Sequence, residues 1–177
     1  MGMDIHGLNP KENKTYDDFP TLEKMNKIKP SERIEILAKD NELNDKYWKE
    51  KDEFDRANPG VYFRNSAWNW RPLWDFCYNF TDGIISEDLH QSGHYNDGAG
   101  LNAEDAEKLG KKLMELIGTG VAIEHEIAYK KTMEQRKKAD KNDATTFYPF
   151  DTMNVEDFAH FCIESGGFEI WLQLHQK

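Results

Sequence analysis

Four residues able to hold an anion or read a polar edge, Arg64, Asn65, Asn69 and Arg71, are woven between the indoles of Trp68, Trp70 and Trp74. A guanidinium fork matches phosphate or carboxylate, and an indole offers a stacking face to a flat group. The chemistry that pattern suits is capture of a planar, anionic small molecule. A second set lies in Ile84–Leu101, where His90 and His94 are four apart and Asn96-Asp97-Gly98 marks a turn. His94, Asn96 and Asp97 have the types that read polar edges of a ligand. Two imidazoles with Asp97 would also make a metal donor set, but no HExxH motif or cysteine pair accompanies them, and no metal or other cofactor is expected.

The same residues would serve an enzyme differently. His94 would be the general base or acid, Asp97 would orient it, and Arg71 would stabilise a developing anion during hydrolysis or transfer on a phosphorylated substrate. The sequence offers no nucleophile, metal set or phosphate loop for that role, so holding a ligand is preferred to turning it over. Both sets also have a structural reading. The aromatic rings fill volume in a core, each burying about 150 Å² or more. The Asn and Asp of the second set bond their own backbone in a turn.

These side chains need elements to position them. Pro72 suits the first position of a helix, which predicts a helix from Pro72 to about Asn79 with Arg71 just before its N-terminus, where free N–H groups and the dipole favour an anion. The alternative is an earlier start, with Ser66 as N-cap and Pro72 tolerated in the second turn at a cost. Met1 to Pro10 reads as a short strand or extended arm. Lys11 to Pro30 reads as a polar loop with one helical turn around Leu22–Ile28. A helix capped by Ser31 is expected to stop at Asp40-Asn41 and restart at Asn44. Asn102 caps the clearest helix, with an inward stripe of Ala106, Leu109, Leu113, Leu116 and Ile117. A second helix follows with Ile123 and Ile127 inward; Asn154 caps another; Phe168 to Leu174 is a terminal strand or a last helical turn. The fold class is therefore mainly α, a single domain over residues 1–177 with a few short β-strands and a polar, loop-rich segment over 11–30; α+β is the second choice.

Composition sets limits. A net charge of −10 opposes general nucleic-acid binding, because phosphate backbones need a basic face. No apolar run is long enough for a membrane helix, the N-terminus lacks an apolar signal-peptide region, and Cys77 and Cys162 form no CxxC motif. A cytoplasmic protein without a membrane partner is expected, with homo-oligomer formation left open.

The blocks MGMDIHGLNP, YFRNSAWNWRPLWDFC, HYNDGAGL and FAHFCIESGGFEI, in this order, resemble a family of uncharacterised proteins of bacteriophages and bacterial genomes. The resemblance implies a phage-related protein of the host-cell cytoplasm and carries no catalytic residues with it. The familiar blocks hold the residues singled out above. The expectation is that they converge on one pocket, with Arg64 and Arg71 holding an anionic group, Trp68 or Trp70 stacking on a planar one, and Asn65, His94, Asn96 and Asp97 nearby. In a phage setting the ligand class is a nucleotide, captured as a signal of host immunity. An acidic inhibitor that binds a host protein through an exposed aromatic patch is a further alternative.

Overall fold

In a computed structural model, residues 2–171 are described. They form eight α-helices and a four-stranded antiparallel sheet, so the fold is mainly α with a few short strands. The strands are β1 (Gly2–Gly7), β2 (Tyr62–Ser66), β3 (Asp97–Leu101) and β4 (Phe168–Trp171), in the order β2-β1-β4-β3. The expected terminal element over Phe168–Leu174 is thus a strand, and its positions 172–174 lie outside the described residues. Ile5 pairs with Phe63 on one side and Ile170 on the other, and alternation of side chains turns these with Met3 and Phe168 toward the core. Asp4, His6, Tyr62, Arg64 and Glu169 occupy the opposite face.

The core behind the sheet is built on α4 (Ala67–Phe80), α6 (Ala103–Gly118) and α8 (Thr152–Glu164). Asn102 caps α6 through Asp105 N as expected, and Ala106, Leu109, Leu113 and Leu116 are buried along one stripe. Gly110 is where α8 crosses: a Cβ there would lie 2.6 Å from Ala159 O and 2.7 Å from Ile163 Cγ1. The cap of α8 is Asp151 rather than Asn154, because Asp151 accepts from Met153 N and Asn154 is already inside the first turn.

The aromatic stretch is one helix, and it does not start at Pro72. Ser66 Oγ accepts from Asn69 N at 3.1 Å, α4 begins at Ala67, and Pro72 sits in its second turn. Proline there costs about 3 kcal/mol. Starting early places Trp70, fully buried, against Trp74 and Phe158. An indole that buries roughly 150–250 Å² at ~25 cal/mol/Å² contributes about 4 kcal/mol or more, which outweighs the proline.

Residues 11–30 are better ordered than the polar-loop reading allows. A 3-10 turn (Tyr16–Asp18) leads into α1 (Pro20–Asn26), followed by α2 (Pro30–Lys39) and α3 (Asn41–Ala57). Pro20 and Pro30 stand at helix starts, where a missing N–H costs nothing. Pro30 rather than Ser31 opens α2, and Asp40 caps α3, which starts at Asn41, three residues ahead of the expected restart at Asn44. The first-turn N–H groups of Thr21 and Leu22, which have no partner within the helix, donate to Glu50 of α3 at 2.7 and 2.8 Å, so the cap of α1 is supplied from another helix. Phe19, Leu22, Met25, Leu37, Tyr47 and Phe54 form a second apolar cluster there.

On α7 (Val121–Ala139) the expected inward residues face out: Ile123 is 47% and Ile127 64% exposed. The inner stripe is Ala122, His125, Glu126 and Tyr129, with i, i+3, i+4, i+7 spacing. His125 packs against Phe76, Phe80 and Phe150, and burial lowers its pKa. Glu126 accepts from Lys130 and from Thr152 N and Oγ, and those bonds hold its carboxyl at about 2. No helix among the described residues is long and apolar enough to cross a membrane.

Candidate functional site

Because α4 starts at Ala67, capped by Ser66, its turns bring Trp68, Arg71 and Asp75 out along one exposed stripe while Trp70, Leu73, Trp74 and Cys77 face the core. At the N-terminal end of the stripe, Trp68 is 47% exposed and packs on Tyr148 with ring centroids 4.8 Å apart. Arg71 donates from Nη1 to Tyr148 Oη at 2.7 Å, and its guanidinium carbon lies 5.5 Å from the centre of the same ring. Tyr129 of α7 fixes that loop by donating to Tyr148 O. No carboxylate among the described residues pairs with Arg71, so its charge and remaining donors face solvent.

Asp75 is one turn further along. Its Oδ1 lies 2.7 Å from His90 Nε2 and 3.3 Å from His94 Nε2, and the two Nε2 atoms are 3.4 Å apart. Desolvation raises the carboxyl's pKa, but the hydrogen bonds from His94 and His90 outweigh it and the net shift is downward. His90 is stacked on Tyr78 at 4.2 Å.

The two histidines are placed by the core. His90 lies in the last turn of α5 (Glu87–Ser92), whose last carbonyls have no helical partner. Trp74 Nε1 donates to His90 O at 3.1 Å and Trp70 Nε1 to Gly93 O at 2.8 Å, so the indoles of α4 take up those carbonyls and grip the chain on both sides of the imidazole pair. Gly93 is required by that grip, since a Cβ there would fall 2.4 Å from Trp74 Nε1. The close approach that a glycine in this segment signals is to an indole of the core.

The expected convergence on a single pocket does not occur. Trp68, Arg71 and His94 share the α4 face. Trp70 is fully buried and has no free ring face. Asn65 is buried and donates to Asn154 Oδ1, bordering a shallow cleft with Gly2, Arg64, Ser66 and Asn69. Arg64 is an exposed rim residue, 3.8 Å from Asp4 on the far face of the sheet. Asn96 donates to Gly2 O, and Asp97 Oδ1 accepts from Ala99 N. Asp97 lines a cleft with Asp88, Gln91, Ser92, His94 and Tyr95, yet the carboxylate against the imidazoles is Asp75, so the expected partnership of His94 with Asp97 is corrected. Asp75 and Tyr148 are the residues that the sequence reading missed. The i, i+4 spacing of Arg71 and Asp75 on a helix begun at Ser66 would have found the first.

No protein-family model matches the chain, no curated protein matches it in sequence, and no solved structure matches its fold. What the site can do therefore follows from its own geometry. Arg71, with two rings beside it, lies one helical turn, about 5–6 Å between Cβ atoms, from Asp75, which holds two imidazoles.

Proposed function

We propose that the protein binds and holds a small, planar, anionic molecule on the outer face of α4, with a nucleotide as the class that fits. The observation that carries this is Arg71, a guanidinium that no carboxylate among the described residues pairs with, set against Tyr148 beside the exposed ring of Trp68, on a chain whose net charge is −10. A phosphate or carboxylate would take the guanidinium's free donors, and a base would lie against Trp68. The resemblance to bacteriophage proteins supports a setting in which such capture removes a nucleotide signal of host immunity inside the host cell. Asp75, His90 and His94 favour a second reading, acid–base turnover of the bound phosphorylated molecule, because a carboxylate orients two imidazoles beside the anion site.

Thermal melting of the purified chain against a nucleotide panel that includes cyclic dinucleotides and trinucleotides, followed by native mass spectrometry, tests both. A ligand at 100 times its Kd stabilises by about 2.7 kcal/mol. Recovery of an intact ligand, with the shift lost in Arg71→Met, supports holding; recovery of a cleaved ligand supports turnover. A panel without a binder, or a shift unchanged in Arg71→Met, overturns the site.

A further inference from the structure

We infer that Asp75, His90 and His94 form a binding site for a first-row divalent transition ion, with zinc as the natural probe. This inference stands on the donor set alone and does not depend on the anion-binding reading of Arg71. The three donor atoms form a triangle with sides of 2.7, 3.3 and 3.4 Å. No placement of protons makes all three sides hydrogen bonds. The carboxylate oxygen only accepts, so each imidazole must turn an Nε2–H toward it, and the two Nε2 atoms then face each other as donors. If either Nε2 gives up its proton, its lone pair faces the carboxylate. A cation within reach of all three satisfies every side, because each atom then offers a lone pair to it. Ligands at ~2.0–2.1 Å from a tetrahedral zinc lie roughly 3.3–3.4 Å apart, which two of the sides already match. The third opens by less than the length of a bond, on a carboxylate whose side chain is 52% exposed.

A second observation points the same way. Among the described residues, the buried side-chain polar atoms without a hydrogen-bond partner are His94 Nδ1 and Asn96 Oδ1, two residues apart in the same turn. A metal on Nε2 forces the proton onto Nδ1, where it needs an acceptor. Asn96 Oδ1 needs a donor, and its orientation is fixed because its Nδ2 donates to Gly2 O at 3.2 Å. Neither atom is hydrogen-bonded to the other or to any other group among the described residues, and in the metal-bound tautomer one becomes a donor while the other stays an acceptor.

The chemistry of the set selects the ion. Two imidazoles and one carboxylate suit zinc and its first-row neighbours, whereas magnesium and calcium take oxygen ligands. Three protein ligands leave a coordination position for water or an exogenous group, and the cleft beside His94, lined also by Asp88 and Asp97, provides an acidic approach for a cation. An ion held there would face the same side of α4 as Arg71, so an anion bound by the guanidinium could also reach the metal.

The test is metal titration of the whole chain after chelator treatment, by calorimetry with Zn²⁺ and by the visible absorption of Co²⁺. The expected result is one ion per chain with a Kd of about 1 μM or tighter, a raised melting temperature, and a tetrahedral or five-coordinate cobalt spectrum. Asp75→Asn, His90→Gln and His94→Gln should each weaken binding at least ~10-fold. Far-UV circular dichroism reports whether each variant is folded. For any that is not, the paramagnetically shifted imidazole proton signals of the Co²⁺-loaded native chain read histidine ligation directly. Failure to bind a stoichiometric ion, binding at native affinity in the folded ligand variants, or a cobalt form without shifted imidazole signals overturns the inference.

Discussion

Replacing Gly93 by alanine separates two opposed physical effects at the point where the core positions the imidazole pair. Gly93 has φ −65° and ψ −8°, an ordinary right-handed conformation. By backbone entropy alone, alanine there should stabilise the chain by roughly 0.5–1 kcal/mol. Sterics oppose this, since the new Cβ would sit 2.4, 2.5 and 2.7 Å from Nε1, Cε2 and Cζ2 of Trp74. That indole is fully buried, stacked on Trp70 at 5.1 Å, and cannot retreat. The end of α5 must move outward instead, which lengthens the bonds from Trp70 to Gly93 O and from Trp74 to His90 O. Overpacking costs about 1–3 kcal/mol, and each buried donor left without a partner about 1–3 kcal/mol. The net expectation is a loss of about 2–4 kcal/mol, at roughly 2–4 °C per kcal/mol for a chain of this size. Urea midpoints and thermal melts measure it. Gly118→Ala is the control: nothing lies within 4 Å of a Cβ there, and it should gain roughly 0.5–1 kcal/mol. A Gly93→Ala protein as stable as the parent would refute the account of how α4 holds α5.

Other consequences are open to similar measurement. Gly110→Ala should destabilise by about 1–3 kcal/mol in urea, because its Cβ meets Ala159 O and Ile163 where α6 crosses α8. His125 is held neutral by burial among Phe76, Phe80 and Phe150. Its folded pKa is lowered, so the unfolded state takes the proton first and stability falls as pH drops below about 6.5. His125→Phe should flatten that part of the urea-midpoint profile, and an unchanged slope would contradict the caged-imidazole geometry. For Glu126, held at about 2 against an ordinary 4.5, the contribution is full above pH 4.5 and is lost as pH falls toward 2. Glu126→Gln should lower stability at neutral pH and reduce the acid-dependent loss in that window; equal acid sensitivity in both proteins would sink the assignment.

How much of this was legible in the sequence depended on whether the deciding partner was local. Helix α6 was readable because Asn102, its acidic first turn and an aliphatic stripe all lie within one segment. Of the two starts read for α4, the preferred one at Pro72 was wrong and the alternative with Ser66 as N-cap was right: Pro72 is a local signal, whereas the burial that overrides it, Trp70 against Phe158, is tertiary. Helix α1 was read only as one turn around Leu22–Ile28, because its cap, Glu50, comes from α3. The inner face of α7 was misassigned because its stripe is made of Ala, His, Glu and Tyr, which an aliphatic count passes over. In the candidate site, Trp68, Arg71 and His94 were singled out by type, but Asp75 sits within an aromatic run and meets the imidazoles only across two helices. Trp70 and Asn65, of the same types as their neighbours, were indistinguishable from site residues until the phase of α4 and the register of β2 were known.

The most direct measurement of the central claim is a titration of Trp68 fluorescence with the nucleotides of the panel, taken as the difference between the native chain and Trp68→Phe, in native and Arg71→Met backgrounds. Stacking of a base on Trp68 predicts saturable quenching in the native chain. Loss of a charge-assisted hydrogen bond, about 1.5–3 kcal/mol, predicts a Kd roughly 10–100-fold weaker in Arg71→Met. Quenching that never saturates with any nucleotide, or the same Kd with and without Arg71, would contradict the proposal that the outer face of α4 holds a planar anion.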